Sequence, residues 1–386
     1  MFSSITYPWI SLSSPDRESA PAAIIPGLPD DLALSCLARI SHGYHGLLEC
    51  VSKRWRDAVR SLDYARIKSQ KGWCGDWLFI LTDNQEDSQW NAYDPEVDRW
   101  HPLPCYPNAR RGYSHLGFSC VSVNNRLLVI GGYHAPNGRH ILRYMATVTN
   151  AVMQFDPFTK QWNKVASMRT ERADFACAVV CGKVYVGGGW NSSSLQLDVA
   201  EVYDPLEDRW EDLPPLPMLR KDCFGVSYEG HFHVIRRKKH RAQRVSCRVF
   251  DPLDKRWKRA CTTVMPFPTM AVGECFFTVD EGEGNSVKTR MKDQDEWKTL
   301  GKIPPVVLPD HSRPLECFGY SLTGLGSDLY VLGGRVLKWN ESRLRFDIVK
   351  LDLVRFCNVT APKLNWRATR RTRLCGAVLA CASIKE

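Results

Sequence analysis

The sequence of 386 residues predicts a mainly β architecture, built from one four-stranded unit repeated along the chain and preceded by a small all-helical domain. Three observations carry this. An octet, aromatic-Asp-Pro with a Trp seven residues after the aromatic, occurs four times: Tyr93-Asp94-Pro95 with Trp100, Phe155-Asp156-Pro157 with Trp162, Tyr203-Asp204-Pro205 with Trp210, and Phe250-Asp251-Pro252 with Trp257. Apolar runs stop at the diglycines Gly131-Gly132, Gly188-Gly189 and Gly333-Gly334. Ahead of the repeats, apolar residues recur at helical spacing between Leu28 and Leu62. Self-similarity of this kind marks one supersecondary unit used repeatedly.

The unit is legible locally. A run such as Val199–Tyr203 alternates as a strand does. Asp-Pro then turns the chain, because Asp bonds its own backbone and Pro fixes φ. The Trp opens the next strand with a large apolar surface to bury. Upstream, the diglycines end a buried strand with backbone conformations closed to other residues. Before each comes another apolar strand, such as Phe175–Val180. Four antiparallel strands result, with the diglycine after the second and the Trp in the fourth.

This pattern resembles the kelch repeat, whose units form the blades of a β-propeller; the resemblance spans residues 77–384. Tryptophans 100, 162, 210, 257, 297 and 366 imply six blades. Blade five (about 262–300) lacks the diglycine and Asp-Pro but keeps a turn at Asp280–Gly284. Blade six keeps Gly333-Gly334, with an aromatic at Phe346 and a lengthened route to Trp366. Blade one begins at Trp77–Leu81 without a first strand. The run Leu374–Cys381 is the candidate to supply it from the C-terminal end, closing the propeller and leaving no open sheet edge.

Residues 1–23, rich in Ser, Pro and Ala, read as a flexible tail. Leu28-Pro29-Asp30-Asp31-Leu32 then starts a helix, with Pro in the first turn and carboxylates at the positive end of the dipole. Leu32, Cys36, Leu37 and Ile40 form its apolar stripe; Leu47, Leu48, Val51 and Trp55 form a second, continued by Ala58, Val59 and Leu62. So small a domain gains stability by burying its stripes against a partner. The spelling Leu28-Pro29-x-Asp31-Leu32, then Leu37 and Ile40, then Cys50-Val51-Ser52-Lys53-Arg54-Trp55, resembles an F-box. It departs from that family's pattern in Ser52, which stands where a Cys is usual, and in the turn at 42–45, which lacks the usual Pro. The resemblance implies docking to the Skp-type adaptor of SCF (Skp–cullin–F-box) ubiquitin ligases through Leu28, Pro29, Leu32, Leu37, Val51 and Trp55, some of which must also form the domain's own core. The boundaries expected are 24–66 for the helical domain, 67–76 for a linker and 77–386 for the propeller.

The kelch resemblance also points to one face of the propeller for target binding. Residues after the diglycines are Tyr133 and His134, Trp190 and Asn191, and Arg335; loops leading into blades supply Arg110, Arg111, Arg172, Arg220, Lys221, Arg313 and Arg371. Arginines with two aromatics suit capture of carboxylates around an aromatic anchor. The alternative for each Arg is an ion pair within its own blade. The net charge of +10, concentrated in residues 236–241 and in Arg367, Arg370, Arg371 and Arg373, favours an acidic protein partner over nucleic acid. The run 236–241 reads as a nuclear-localisation patch, a basic hairpin touching target, or a solvated hairpin.

Other classes find little support. No apolar run of membrane-spanning length is present, and the first residues make a poor signal peptide. Fifteen cysteines, many single within apolar strands and none in a CxxC pair, read as free thiols of a cytoplasmic or nuclear protein. His231 and His233 alternate on one strand without a third metal ligand. Some kelch propellers are copper oxidases, but the ten histidines are scattered. No nucleophile elbow, phosphate loop or carboxylate pair is spelled. The expected protein is a plant-like F-box/kelch substrate receptor, non-catalytic and without cofactor; the rival is a kelch interaction scaffold with no ligase role.

Overall fold

The computed structural model describes residues 23–83, 88–136, 146–217, 223–236, 247–259, 269–272, 275–291, 294, 296–309, 313–369 and 377–384. The chain forms two compact units, with the boundary between Trp73 and Cys74.

The first unit holds helices α1 (Asp30–Ala38), α2 (His45–Val51), α3 (Lys53–Val59) and α4 (Leu62–Gln70). The second apolar stripe is not one helix. Ser52, extended at φ −162°, breaks it, and its side chain caps α3 by accepting from Trp55 N at 3.0 Å. Ser61 caps α4 the same way through Tyr64 N. Ser is neutral to poor inside a helix and favoured at its start, so these two serines set the breaks. The helical unit also runs past the expected end at 66. Helix α4 continues to Gln70, and Trp73 packs on the core of Ile24, Ala33, Leu37, Leu48, Val59 and Tyr64. Lys68 is fully buried there; its ammonium donates to Ala38 O (2.9 Å), the last carbonyl of α1, where the helix dipole is negative, and to Ile40 O (2.6 Å) just beyond it.

The second unit consists of antiparallel four-stranded sheets, with one five-stranded variation. In order, the sheets are 377–384/77–83/88–94/99–102, 119–123/126–130/152–156/161–165, 176–180/183–187/200–204/209–213, 223–228/231–236/247–251/256–259, 269–272/275–280/286–291/298–302, and 318–325/328–340/354–358/367–368 with 345–350 alongside. The strand Ala377–Ile384 pairs with Trp77–Asp83 in the register Ile80↔Cys381, so the first sheet joins both ends of this unit as expected. Residues 374–376 of the expected run lie outside the described residues.

The octet acts as one device. Its aromatic and its Trp are direct cross-strand partners (Tyr93↔Trp100, Phe155↔Trp162, Tyr203↔Trp210, Phe250↔Trp257) with ring centroids 4.9–5.1 Å apart. The Asp carboxylate accepts from the amide two residues on, as Asp204 does from Leu206 N and Asp251 from Leu253 N. The residue five after the aromatic is left-handed every time: Asp98, Lys160, Asp208 and Lys255, at φ 47–55°. The indole then reaches the sheet before. Trp162, Trp210, Trp257 and Trp366 donate through Nε1 to Pro104, Ala166, Pro214 and Lys302 carbonyls at 2.7–3.0 Å. In these four units the Trp thus ties the blade to the chain leaving its predecessor.

Two units depart from the pattern. In blade five the guanidinium of Arg290 lies over the rings of Phe276 and Trp297, at 5.3 and 5.5 Å, in place of the aromatic pair. In blade six, Phe346 is not the third-strand aromatic. That place belongs to Phe356, stacked on Tyr330 at 5.1 Å, whereas Phe346 lies in an added hairpin, Arg335–Asn340 with Arg345–Lys350. A small separate sheet, Tyr113–Leu116, Tyr133–Pro136 and Thr147–Val148, extends blade two.

Candidate functional site

In the helical unit the structure divides residues that the sequence left together. Leu37 is buried in the core, and Leu28 and Trp55 pack against that core half-buried. Trp55 also donates from Nε1 to Ile24 O at 2.8 Å, which pins the lead-in segment. Asp30 accepts from Ile24 N and pairs with Arg54, both at 2.8 Å; the backbone bond from Ile24 is the main reason its carboxyl is held below the usual range. Pro29, Leu32 and Val51 point to solvent instead, with Leu32 50% and Val51 59% exposed. Leu47 joins them at 57%, one turn from Val51 on the same side of α2. Sequence reasoning placed Leu47 in the stripe but not at the surface; the buried Leu48 beside it takes the inward position. Around its buried core the helical unit thus leaves four large aliphatics exposed: Leu32, Leu47, Val51 and, at the start of α4, Leu62.

On the propeller face the expected residues separate into three groups. Arg172 and Trp190 are buried and do not present their side chains to a partner, which corrects the expectation for both. Arg172 donates from Nη1 to Gly188 O and Val199 O and from Nη2 to Glu201 Oε1 at 2.5 Å; burial pushes its pKa down. Glu201 also accepts from Arg169 N and Thr170 N. This buried pair fastens the loop before blade three to its diglycine, so the intra-blade alternative holds there. Trp190 donates from Nε1 to Asp174 at 2.8 Å and packs against Tyr133, ring centroids 5.1 Å apart. Asn191 shapes a tight loop by accepting from Leu195 N. Tyr133 is half-buried; Arg110, Arg111, Arg313 and Arg335 are exposed. Arg220, Lys221, Arg370, Arg371, Arg373 and residues 237–241 of the basic run lie outside the described residues.

Behind Tyr133, the rings of His115 and His134 stack at 4.5 Å, with Phe118 4.6 Å from His115. His115 Nε2 donates to Gly131 O at 2.8 Å. Burial above all, and then the neighbouring His134, hold His115 down at about 3; burial and Arg110 lower His134 too. A folded pKa below the unfolded value of 6.5 means the unfolded chain binds more protons, so stability present above pH 6.5 is lost as pH falls toward 3. Each such His contributes at most ~1.4 kcal/mol per pH unit. His115→Gln, which keeps a donor for Gly131 O, is expected to reduce the loss of urea stability between pH 6 and 5 by about that amount. An unchanged loss would show that the stack does not titrate.

Other sites expected from sequence bind within the protein. His231 Nδ1 donates to Glu229 O, and its Nε2 lies 3.3 Å from Asp251. Burial lowers His233 to about 4. The described cysteines are free thiols, and burial raises Cys177 and Cys381 to about 12, which leaves them inert.

Comparison with known proteins agrees with these two units. The F-box domain pattern matches residues 25–66, and the kelch motif matches 115–169 and 171–217. F-box/kelch-repeat protein At1g16250 of Arabidopsis thaliana is 50% identical, covering 96% of this chain and 99% of its own length. F-box/kelch-repeat protein SKIP30 of the same plant is 28% identical over 95% of this chain and 99% of its own. With At1g16250 identical at half of the matched positions over nearly the full length of both chains, the chain belongs to the F-box/kelch-repeat proteins.

Proposed function

We propose that the chain is the substrate-recognition subunit of an SCF-type ubiquitin ligase. Its helical unit docks the Skp-type adaptor, and through it the cullin, while the propeller holds a target protein. The observation that carries this reading is the exposed set Leu32, Leu47 and Val51 on a unit whose core is already complete. Burying one such side chain contributes about 1.5–3 kcal/mol, enough for three to anchor a complex. Such a subunit brings target and charged conjugating enzyme together, and the chemistry is done elsewhere.

Capture of purified Skp-type adaptor by the wild-type chain, compared with Leu32→Asp, tests the reading. A charge at an exposed position leaves the fold intact but must be desolvated at the interface, so binding is expected to fall by at least about a hundredfold, or about 2.7 kcal/mol. No capture by well-folded wild-type chain, or equal capture by Leu32→Asp, would sink the ligase role.

A further inference from the structure

The added hairpin of blade six repeats the octet where no blade covers it. Trp339 and Phe346 stand seven residues apart and are direct cross-strand partners, with ring centroids 5.1 Å apart as in the four octets. Asn340 replaces the Asp, its Oδ1 accepting from Arg343 N at 3.1 Å as Asp156 and Asp251 accept three residues on at 3.3 Å. Leu344, five after Trp339, is left-handed at φ 48°. The geometry is that of the octet, but the setting is not. Tyr203 and Trp210 are buried, whereas Trp339 and Phe346 are 45% and 60% exposed. Opposed residues share a sheet face, so the pair Leu337↔Ile348, also exposed, extends the same apolar surface.

The rest of the protein shows what such a pair accepts. In blades two to four the Trp indole donates to a carbonyl of an extended segment: Leu103-Pro104, Val165-Ala166 and Leu213-Pro214. The blade-six indole, Trp366, meets Lys302-Ile303-Pro304 in the same way. Leu103, Leu216 and Ile303 of these segments are buried. In three of the four cases the covering chemistry is an extended Leu/Ile-Pro segment beside the carbonyl that takes the indole N–H, and in blade three it is Val165-Ala166. Proline suits this, since it holds the chain extended and costs little entropy on docking. Charge narrows the choice. Arg335 and Lys350 oppose each other on the same sheet face as Trp339 and Phe346, and Arg343 lies in the turn, whereas Asp347 lies on the other face with Lys338 and Arg345 and is held by Asn340 (2.6 Å) and Arg345 (3.2 Å).

We propose that the Trp339–Phe346 hairpin is a docking platform for an extended, acidic, Leu/Pro-rich segment of a target protein. This rests on the receptor reading above and supplies the chemistry of the target. The platform is built like an interblade contact, with the partner in place of the preceding blade's exit segment.

A labelled peptide of sequence Asp-Glu-Asp-Leu-Pro-Pro-Leu-Pro-Asp-Glu, titrated by anisotropy with the full chain, tests the proposal. Binding is expected to weaken at least tenfold for Trp339→Thr/Phe346→Thr, which keeps β-branched strand formers, and for Arg335→Glu/Arg343→Glu. It is expected to weaken as much when the peptide's acids become Lys or its leucines Ala. No binding by wild type, or equal binding by a hairpin variant with unchanged melting temperature, would overturn the proposal. So would a wild-type dimer in sedimentation velocity that Trp339→Thr/Phe346→Thr dissolves without any peptide binding, which would assign the face to a second copy. Adaptor capture by the same preparations separates the two readings. Capture without peptide binding overturns the platform alone, and peptide binding without capture overturns the ligase role alone.

Discussion

Glu201→Gln is expected to destabilise the propeller by about 3–5 kcal/mol, the cost of leaving one partner of a buried ion pair charged and alone. Arg172 and Glu201 are both fully inaccessible, and Gln keeps the size of Glu while removing the charge that Arg172 meets. Nor can the surroundings relax. Glu201 accepts from two backbone amides of the loop before blade three, and Arg172 donates to carbonyls on either side of the diglycine loop. Loss of the pair therefore loosens loop and sheet together. The exposed pair Arg209–Glu211 is the control, with Glu211→Gln expected to cost under ~1 kcal/mol. Urea midpoints at constant m-value compare the two. A loss at Glu201 no larger than at Glu211 would mean that the buried pair contributes little.

Gly225→Ala is the second large effect, and its cause is steric alone. A Cβ there would lie 2.5 Å from Cys177 O and 2.6 Å from Cys177 N, on the facing strand of blade three. Those atoms are backbone, held in a sheet by the pairing Cys177↔Val186, so no rotamer change relieves the contact. Overpacking of cores costs about 1–3 kcal/mol and more when backbone must move; the upper end or beyond is expected, read as a drop in melting temperature. Gly230→Ala is the contrast. Gly230 has φ +70° but open space around its missing Cβ, so only the left-handed conformation is penalised, by about 1 kcal/mol. If the two variants melt together, blades three and four pack less closely than their strands indicate.

The repeat, the strand order within each blade and the extra C-terminal strand of blade one were legible in the residues, because each depends on chemistry a few positions apart. Asp204 reaches the amide of Leu206, Asp208 turns left-handed, and Trp210 returns opposite Tyr203, all within eight residues. Serines also break helices locally, yet the helical stripe read straight through Ser52, whose capping role depends on which way the next helix departs. The hairpin at 339–346 escaped notice for a related reason. Asn340, Glu341 and Phe346 keep the octet's geometry but not its spelling.

What sequence by itself determined about this protein is its parts: an F-box-like helical unit, kelch blades and the turns that shape them. Only the tertiary structure decided which side chains those parts expose. It turned Leu37 inward and Leu32 outward, sealed Arg172 and Trp190 beneath the face they were expected to line, and left Trp339 and Phe346 uncovered. Local structure follows from neighbours along the chain, whereas burial follows from which strands and helices come to lie against one another.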